Sequence, residues 1–207
     1  MPLTVLIERP MFSILVMAFA LLGPAHAART QSVGSTVQAD PQCALTLEQK
    51  RANRSLAWSD FEFGTTDGRP MALAGRRCFP EAALASRDYL IYGPLLTTRQ
   101  QAISTFHMGR NLAFAGREQE AAVAVSAARR SDQTPTGLDW NTYVQGVYAF
   151  LVKDPNGLAG ALSKLEASAG EGDRNNAANL RQLQTCFSRP YLNAMSDSDC
   201  GPRPSVH

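Results

Sequence analysis

Apolar side chains recur at helical spacing along most of the chain, most densely over residues 139–157, DWNTYVQGVYAFLVKDPNG. Trp140, Tyr143, Val147 and Phe150 form one stripe there, and Val144, Tyr148, Leu151 and Val152 form a second. Only Asn141, Thr142 and Gln145 leave a polar strip. A helix that is apolar on nearly all sides needs cover on nearly all sides. Asp139 is placed to cap its N-terminus. Asp154-Pro155-Asn156-Gly157 is a turn, and Leu158 begins another helix. The stretch predicts one arm of a helical hairpin with neighbours on several faces.

The same period predicts the remaining elements. A first helix spans 44–58 on Leu45, Leu47, Ala52, Leu56 and Ala57. The Gly, Asp, Thr and Pro content of 59–70 predicts a loop, pinned to the core by Phe61 and Phe63. A short helix covers 71–77, and a longer one covers 79–92 with Ala83, Leu84, Leu90 and Ile91 as its buried side. Thr98 and Gln101 have capping-box spacing ahead of a helix over 99–115 that buries Ile103, Phe106, Ala113 and Phe114. Gly109 in its middle implies a close helix crossing, and Gly116 stops it. The helix over 118–130 starts with Glu118 and Glu120 and ends with Arg129 and Arg130, as the helix dipole favours. Residues 158–168 form another helix, 169–173 a loop, and 175–188 a last helix burying Ala178, Leu180, Leu183 and Phe187. No run alternates as a strand would. The fold class is all-α.

The N-terminus changes the picture of where the chain works. Residues 11–22 are apolar apart from Ser13, Gly23-Pro24 breaks the run, and Ala25-His26-Ala27 has the small-x-small cleavage pattern. Residues 1–27 therefore read as an export signal, with the mature chain starting at Ala28 and no permanent membrane anchor after cleavage. Residues 28–42 read as a leader, 43–200 as the folded domain and 201–207 as a tail. All four cysteines, Cys43, Cys78, Cys186 and Cys200, fall in the mature part. An even count in an exported chain predicts two disulfides. Of the three pairings, Cys43–Cys78 with Cys186–Cys200 is favoured, because each bond then clips one end of the chain. The expected location is periplasmic or secreted.

Charge and chemistry mostly exclude. Lys plus Arg number 20 against 18 for Asp plus Glu, which gives no reason to expect nucleic acid as a partner. The cysteine spacings suit neither zinc nor a redox pair, and nothing implies a metal or cofactor. His107 is the single histidine inside the folded part, with Ser104 three residues earlier, and it reads as a partly buried helix residue. Asp60, Glu62 and Asp67 lack the spacing of a calcium loop and read as solvated acids.

Three hairpins, 71–92, 101–130 and 142–169, place Ala82, Ala121 and Leu158 at a period of 37 to 39 residues. A period in that range signals stacked helix pairs. In the middle unit Met108-Gly109, Leu112, Gly116, Ala121, Val125 and Ala128 follow the spacing of a tetratricopeptide repeat, which the chain resembles. The third unit keeps Gly146 and Ala149 but has Lys153-Asp154 where the turn glycine stands. The chain also resembles a group of exported bacterial proteins through Asp139-Trp140-Asn141, Phe150-Leu151, Cys186-Phe187 and Arg189-Pro190-Tyr191. That group brings no activity with it.

The tetratricopeptide resemblance implies a short array of antiparallel helical hairpins whose first helices line an inner surface. Phe106, Arg110, Phe114, Trp140, Tyr143 and Val147 would then be its binding residues, since aromatics and Arg are enriched at binding hot spots. The competing expectation is that a short array leaves no groove and these residues are core. The functional expectation is a non-catalytic protein- or peptide-binding module of the bacterial cell envelope, with a small envelope hydrolase as the alternative.

Overall fold

The structure is a computed structural model that describes residues 40–133, 138–168 and 170–201. The export signal, the cleavage point at Ala28, nearly all of the leader and the tail beyond Gly201 lie outside the described residues. Those residues contain ten α-helices and no strand. The helices are α1 (Leu47–Arg54), α2 (Trp58–Glu62), α3 (Pro70–Gly75), α4 (Phe79–Tyr92), α5 (Thr98–Phe114), α6 (Glu118–Ala127), α7 (Trp140–Leu151), α8 (Pro155–Glu166), α9 (Glu171–Thr185) and α10 (Tyr191–Ser196). One 3-10 turn follows at Ser198–Cys200. No helix among the described residues is long and apolar enough to cross a membrane.

The pairs α3/α4, α5/α6 and α7/α8 are hairpins closed by one kind of turn. Each has a residue in the left-handed region: Arg77 (φ 63°), Gly116 (φ 76°) and Lys153 (φ 59°). The next N–H reaches back five residues: Cys78 to Leu73 O and Arg117 to Leu112 O, both 2.9 Å, and Asp154 to Ala149 O, 2.8 Å. This double-capped helix end satisfies carbonyls that the helix leaves free. Glycine adopts it without penalty, whereas Arg77 and Lys153 carry a cost of about 1–2 kcal/mol each. Lys153 has compensation, because its Nζ donates to Phe187 O and Arg189 O and lies 4.0 Å from the Phe150 ring centroid.

The hairpins stack through α4 on α5, α6 on α7, and α8 and α7 on α9. Two glycines set how closely. A Cβ at Gly109 would lie 2.8 Å from Val125 Cγ2, and one at Gly146 would lie 2.4 Å from Leu180 Cδ1. The expected close crossing at Gly109 is therefore present, against α6. Phe106 of α5 packs on Trp140 (5.1 Å) and Tyr143 (5.3 Å) of α7, so the neighbouring hairpin covers that face of the apolar helix. Val144, Val147 and Phe150 are fully buried beneath it.

Several boundaries differ from the sequence reading for physical reasons. The predicted first helix is two, α1 and α2, separated by the Ser55-Leu56-Ala57 break, so part of the predicted loop 59–70 is helical. The capping box forms at Thr97 and Gln100, one residue earlier than at Thr98 and Gln101. α9 begins at Glu171 rather than 175, which absorbs the predicted Gly-rich loop and buries Ala177 in place of Ala178. Phe61 is buried and stacks on Tyr89 at 3.8 Å, whereas Phe63 is exposed. Leu84 and Ile91, expected on the buried side of α4, are 44% and 61% exposed.

Both expected disulfides form. Cys43–Cys78 and Cys186–Cys200 each have a Cα–Cα distance of 5.4 Å, and no described cysteine is free. Two such bonds suit a chain that resides in an oxidising compartment.

Asp139 caps α7 as the sequence indicated. Its Oδ1 accepts from Thr142 N (3.2 Å) and Gln133 Nε2 (2.9 Å), and its Oδ2 lies 2.8 Å from Lys164 Nζ. Burial alone would push this carboxyl up, but hydrogen bonds from Lys164, Thr142 and Gln133 outweigh it and hold the pKa at about 2. A lowered folded-state pKa contributes stability above the unfolded value near 3.9, and that stability is lost as pH falls toward about 2. The expected contribution is roughly 2 kcal/mol. Denaturant midpoints taken between pH 5 and about 2 should fall less steeply in Asp139→Asn than in the natural chain.

Candidate functional site

α5 turns a stripe of partly exposed residues outward at i, i+4, i+7 and i+11: Ile103, His107, Arg110 and Phe114. Residues three or four apart on a helix are neighbours, with Cβ atoms about 5–6 Å apart. His107 and Arg110 are such a pair. The stripe lies beside α10, whose Tyr191 meets Phe114 edge-on at 5.1 Å and Phe150 at 5.8 Å.

Arg110 is a cation among rings. Its guanidinium carbon lies 5.7 Å from the Phe114 ring centroid, and its Nε is shut off from solvent without a hydrogen-bond partner. Among the described residues no carboxylate forms an ion pair with it. Burial works against the charge, and the ionised forms of Tyr191 and Tyr143, reached only at high pH, outweigh it and raise the pKa above the ordinary arginine value. Burial likewise raises the Tyr191 phenol. A fixed, incompletely bonded cation beside aromatic rings suits a carboxylate carried by an apolar or aromatic group.

One turn earlier the stripe carries a second arrangement. Glu62, at the end of α2, has a side chain only 1% exposed, and its Oε1 lies 2.5 Å from His107 Nδ1. Its Oε2 accepts from Ser104 Oγ. Trp58 Nε1 donates to Ser104 Oγ at 3.0 Å. An indole N–H can only donate, so Ser104 accepts from Trp58 and spends its own proton on Glu62. Glu62 Oε2 then accepts the Ser104 hydrogen bond, and Oε1 pairs with His107 Nδ1, which donates in the Nδ1–H tautomer. In a neutral His107 this leaves Nε2 as the basic nitrogen, on a side chain that is one-third exposed. The Ser104 hydroxyl is committed to Glu62 and is not placed as a nucleophile for His107.

The six expected binding residues divide. Phe106, Trp140, Tyr143 and Val147 are buried, at 1%, 8%, 4% and 0% exposure. They cover one another across α5 and α7, and Trp140 Nε1 donates to Ala128 O at 2.8 Å. Arg110 and Phe114 alone of the six are partly exposed. His107 is partly buried, as the sequence indicated, but Glu62 is not a solvated acid: it is buried and hydrogen-bonded. Glu62 and His107 lie 45 residues apart in the chain, and no local spacing marks their pairing. Among the described residues no group of acids, cysteines and histidines could hold a metal ion. Asp60 and Asp67 are exposed.

Among the described residues, hollows of appreciable size lie elsewhere. One of about 590 Å³ is polar, lined by Asp139, Thr142, Gln145 and Lys164 among others. Two more, of about 510 and 430 Å³, flank α4.

Comparison with family models, with curated proteins and with solved structures finds no match to this chain.

Proposed function

We propose that the chain is a non-catalytic binding module of the bacterial cell envelope, periplasmic or secreted. Its ligand is a peptide, free or part of an envelope protein, that presents a carboxylate next to an aromatic or large apolar side chain. One observation carries this reading: the Arg110 guanidinium lies over Phe114 with its Nε buried and unbonded, and no carboxylate among the described residues forms an ion pair with it. An incoming carboxylate would supply the missing counter-charge, and Phe114 would offer its ring to the adjoining side chain. The tetratricopeptide resemblance supports the placement, because α5 is the first helix of its hairpin. The signal pattern and the two disulfides support the location.

The test is calorimetric titration with short peptides ending in an aromatic residue, each compared with its C-terminal amide. The natural chain should prefer the free carboxylate, and Arg110→Ala should weaken binding at least about tenfold while melting close to the natural chain. Equal binding of acid and amide, or of the natural chain and Arg110→Ala, would sink the proposal. The Glu62–His107 pair favours the second reading, a small hydrolase in which His107 Nε2 takes a proton from attacking water. The same series separates the two. His107→Ala should leave peptide capture unchanged. Hydrolysis of an activated ester by the natural chain, lost in both His107→Ala and Glu62→Gln, would move the reading to the enzyme.

A further inference from the structure

The turn between α7 and α8 carries a chemically labile pair. Asn156 is the one asparagine of the chain followed by glycine. Gly157 has no side chain to hinder its main-chain nitrogen, which can attack the carboxamide before it. Asn156 is exposed, and its carboxamide makes no hydrogen bond among the described residues. The glycine cannot be exchanged freely. A Cβ at Gly157 would run into the Asp154 carboxyl and lie 3.2 Å from Ala149 Cβ, so the close return of α8 against α7 requires it.

The same turn holds the reaction off. Asp154 caps α8, and its Oδ1 accepts from Gly157 N at 2.9 Å. Attack needs that nitrogen deprotonated, and a carboxylate already seated on its N–H disfavours a second negative charge there. Asn156 also lies within the first turn of α8. Closing a five-membered ring between Gly157 N and Asn156 Cγ requires ψ of Asn156 to rotate far from the helical value of about −42°. Pro155 has a fixed φ on one side, and Leu158 is fully buried on the other. The rotation therefore needs the turn to unwind.

We propose that Asn156 is a latent self-modification site and that the Asp154 cap keeps it closed. When the turn unwinds, Gly157 N bonds to Asn156 Cγ, the Cγ–Nδ2 bond breaks, and ammonia leaves with the Gly157 proton. One water then opens the succinimide at either carbonyl and leaves aspartate or isoaspartate at position 156. No oxidant, reductant or second protein takes part. The isoaspartyl product puts one extra carbon into the main chain two residues before Leu158, where α8 must return to α7. Conversion accumulates with each opening, so the site records how often α8 has come undone at its N-terminus.

Peptide mapping by mass spectrometry during long incubation in mildly alkaline buffer tests the proposal on the folded, disulfide-bonded chain. The natural chain should keep Asn156, and the same chain unfolded in urea should exchange its –NH2 for –OH, with isoaspartate among the products. Asp154→Ala, checked by circular dichroism to be folded, should convert about fivefold faster or more than the natural chain, the factor by which loss of a cap favours opening. Asp154→Ser can still cap and should convert more slowly than Asp154→Ala. Thr97→Ala removes the cap of α5 instead and should leave Asn156 as it is in the natural chain. Conversion as fast in the folded natural chain as in urea overturns the proposal, as does an Asp154→Ala chain that keeps Asn156. Equal acceleration by Thr97→Ala, or none of the rescue by Asp154→Ser, overturns the role of the cap and the proposal with it.

Discussion

Trp140→Ala should lose about 3–5 kcal/mol of stability, the largest single-residue effect expected in this chain. The indole sits where three elements meet. Its ring packs edge-on against Phe106 and Tyr143, and its Nε1 donates to Ala128 O just beyond the end of α6. Truncation removes the ring from the seam between the second and third hairpins and leaves a buried carbonyl without its donor. Neighbouring helices pinned by turns on both sides cannot collapse fully into the space. Trp140→Phe separates the two parts: it keeps most of the packing but not the donor, and should cost about 1–3 kcal/mol. Urea midpoints of the three proteins, with an unchanged denaturant slope, measure both steps. A loss under about 1 kcal/mol in Trp140→Ala would mean that the ring is not core and would reopen the α7 face as a binding surface.

Opening the Cys186–Cys200 bond should produce the second large effect. The bond spans 14 residues and holds α10 against α5 and α9. Closing a loop of that size is worth about 3 kcal/mol in the chain-entropy model. In a domain of this size that corresponds to a drop of about 10 °C in melting temperature for Cys186→Ser/Cys200→Ser. The loss reaches beyond entropy, because α10 brings Tyr191 to Phe114, Phe150 and Arg110. Its N-terminal N–H also bonds Glu118 Oε1 at 2.5 Å, and Ala194 and Met195 are buried. Ligand titration of the same variant should show weakened carboxylate binding, because the bond holds Tyr191 beside Arg110. A variant that melts like the natural chain would show that packing alone secures α10.

The hairpin array was legible because its signals are local. Gly116 marks one turn, and Glu118 and Glu120 mark the start of α6, although that helix ends at Ala127, short of the Arg129 and Arg130 expected in its last turn. Of the three cysteine pairings the sequence allows, the favoured end clips are the ones that form. The turns at Arg77 and Lys153 repeat the geometry of Gly116 with side chains that carry no such signal, and the period of 37 to 39 residues is what exposes them. The capping box slipped by one residue because Thr97-Thr98 and Gln100-Gln101 offer two registers of identical chemistry. Burial was less legible than element type. Leu84 and Ile91 fit an apolar face, but periodicity does not say whether anything covers that face. Glu62 was hidden for the opposite reason. A five-residue helix beside a Gly- and Thr-rich loop has no period to detect, and its carboxylate is buried by α5, a partner far along the chain. Arg110 was found as a residue type at a helical position. Its missing counter-charge is a fact of tertiary structure.

The two covalent clips also govern how the stack comes apart. In a stack of hairpins an end unit has fewer neighbours to lose and opens first. Cys43–Cys78 joins the segment ahead of α1 to the start of α4, and Cys186–Cys200 joins the end of α9 to the turn after α10. Fraying that would otherwise peel inward from either terminus has to carry a cross-linked loop with it. The bonds thereby convert a zipper, which opens a tooth at a time, into a block that opens all at once. A protease in the surrounding compartment meets end helices that stay closed for as long as the central ones do.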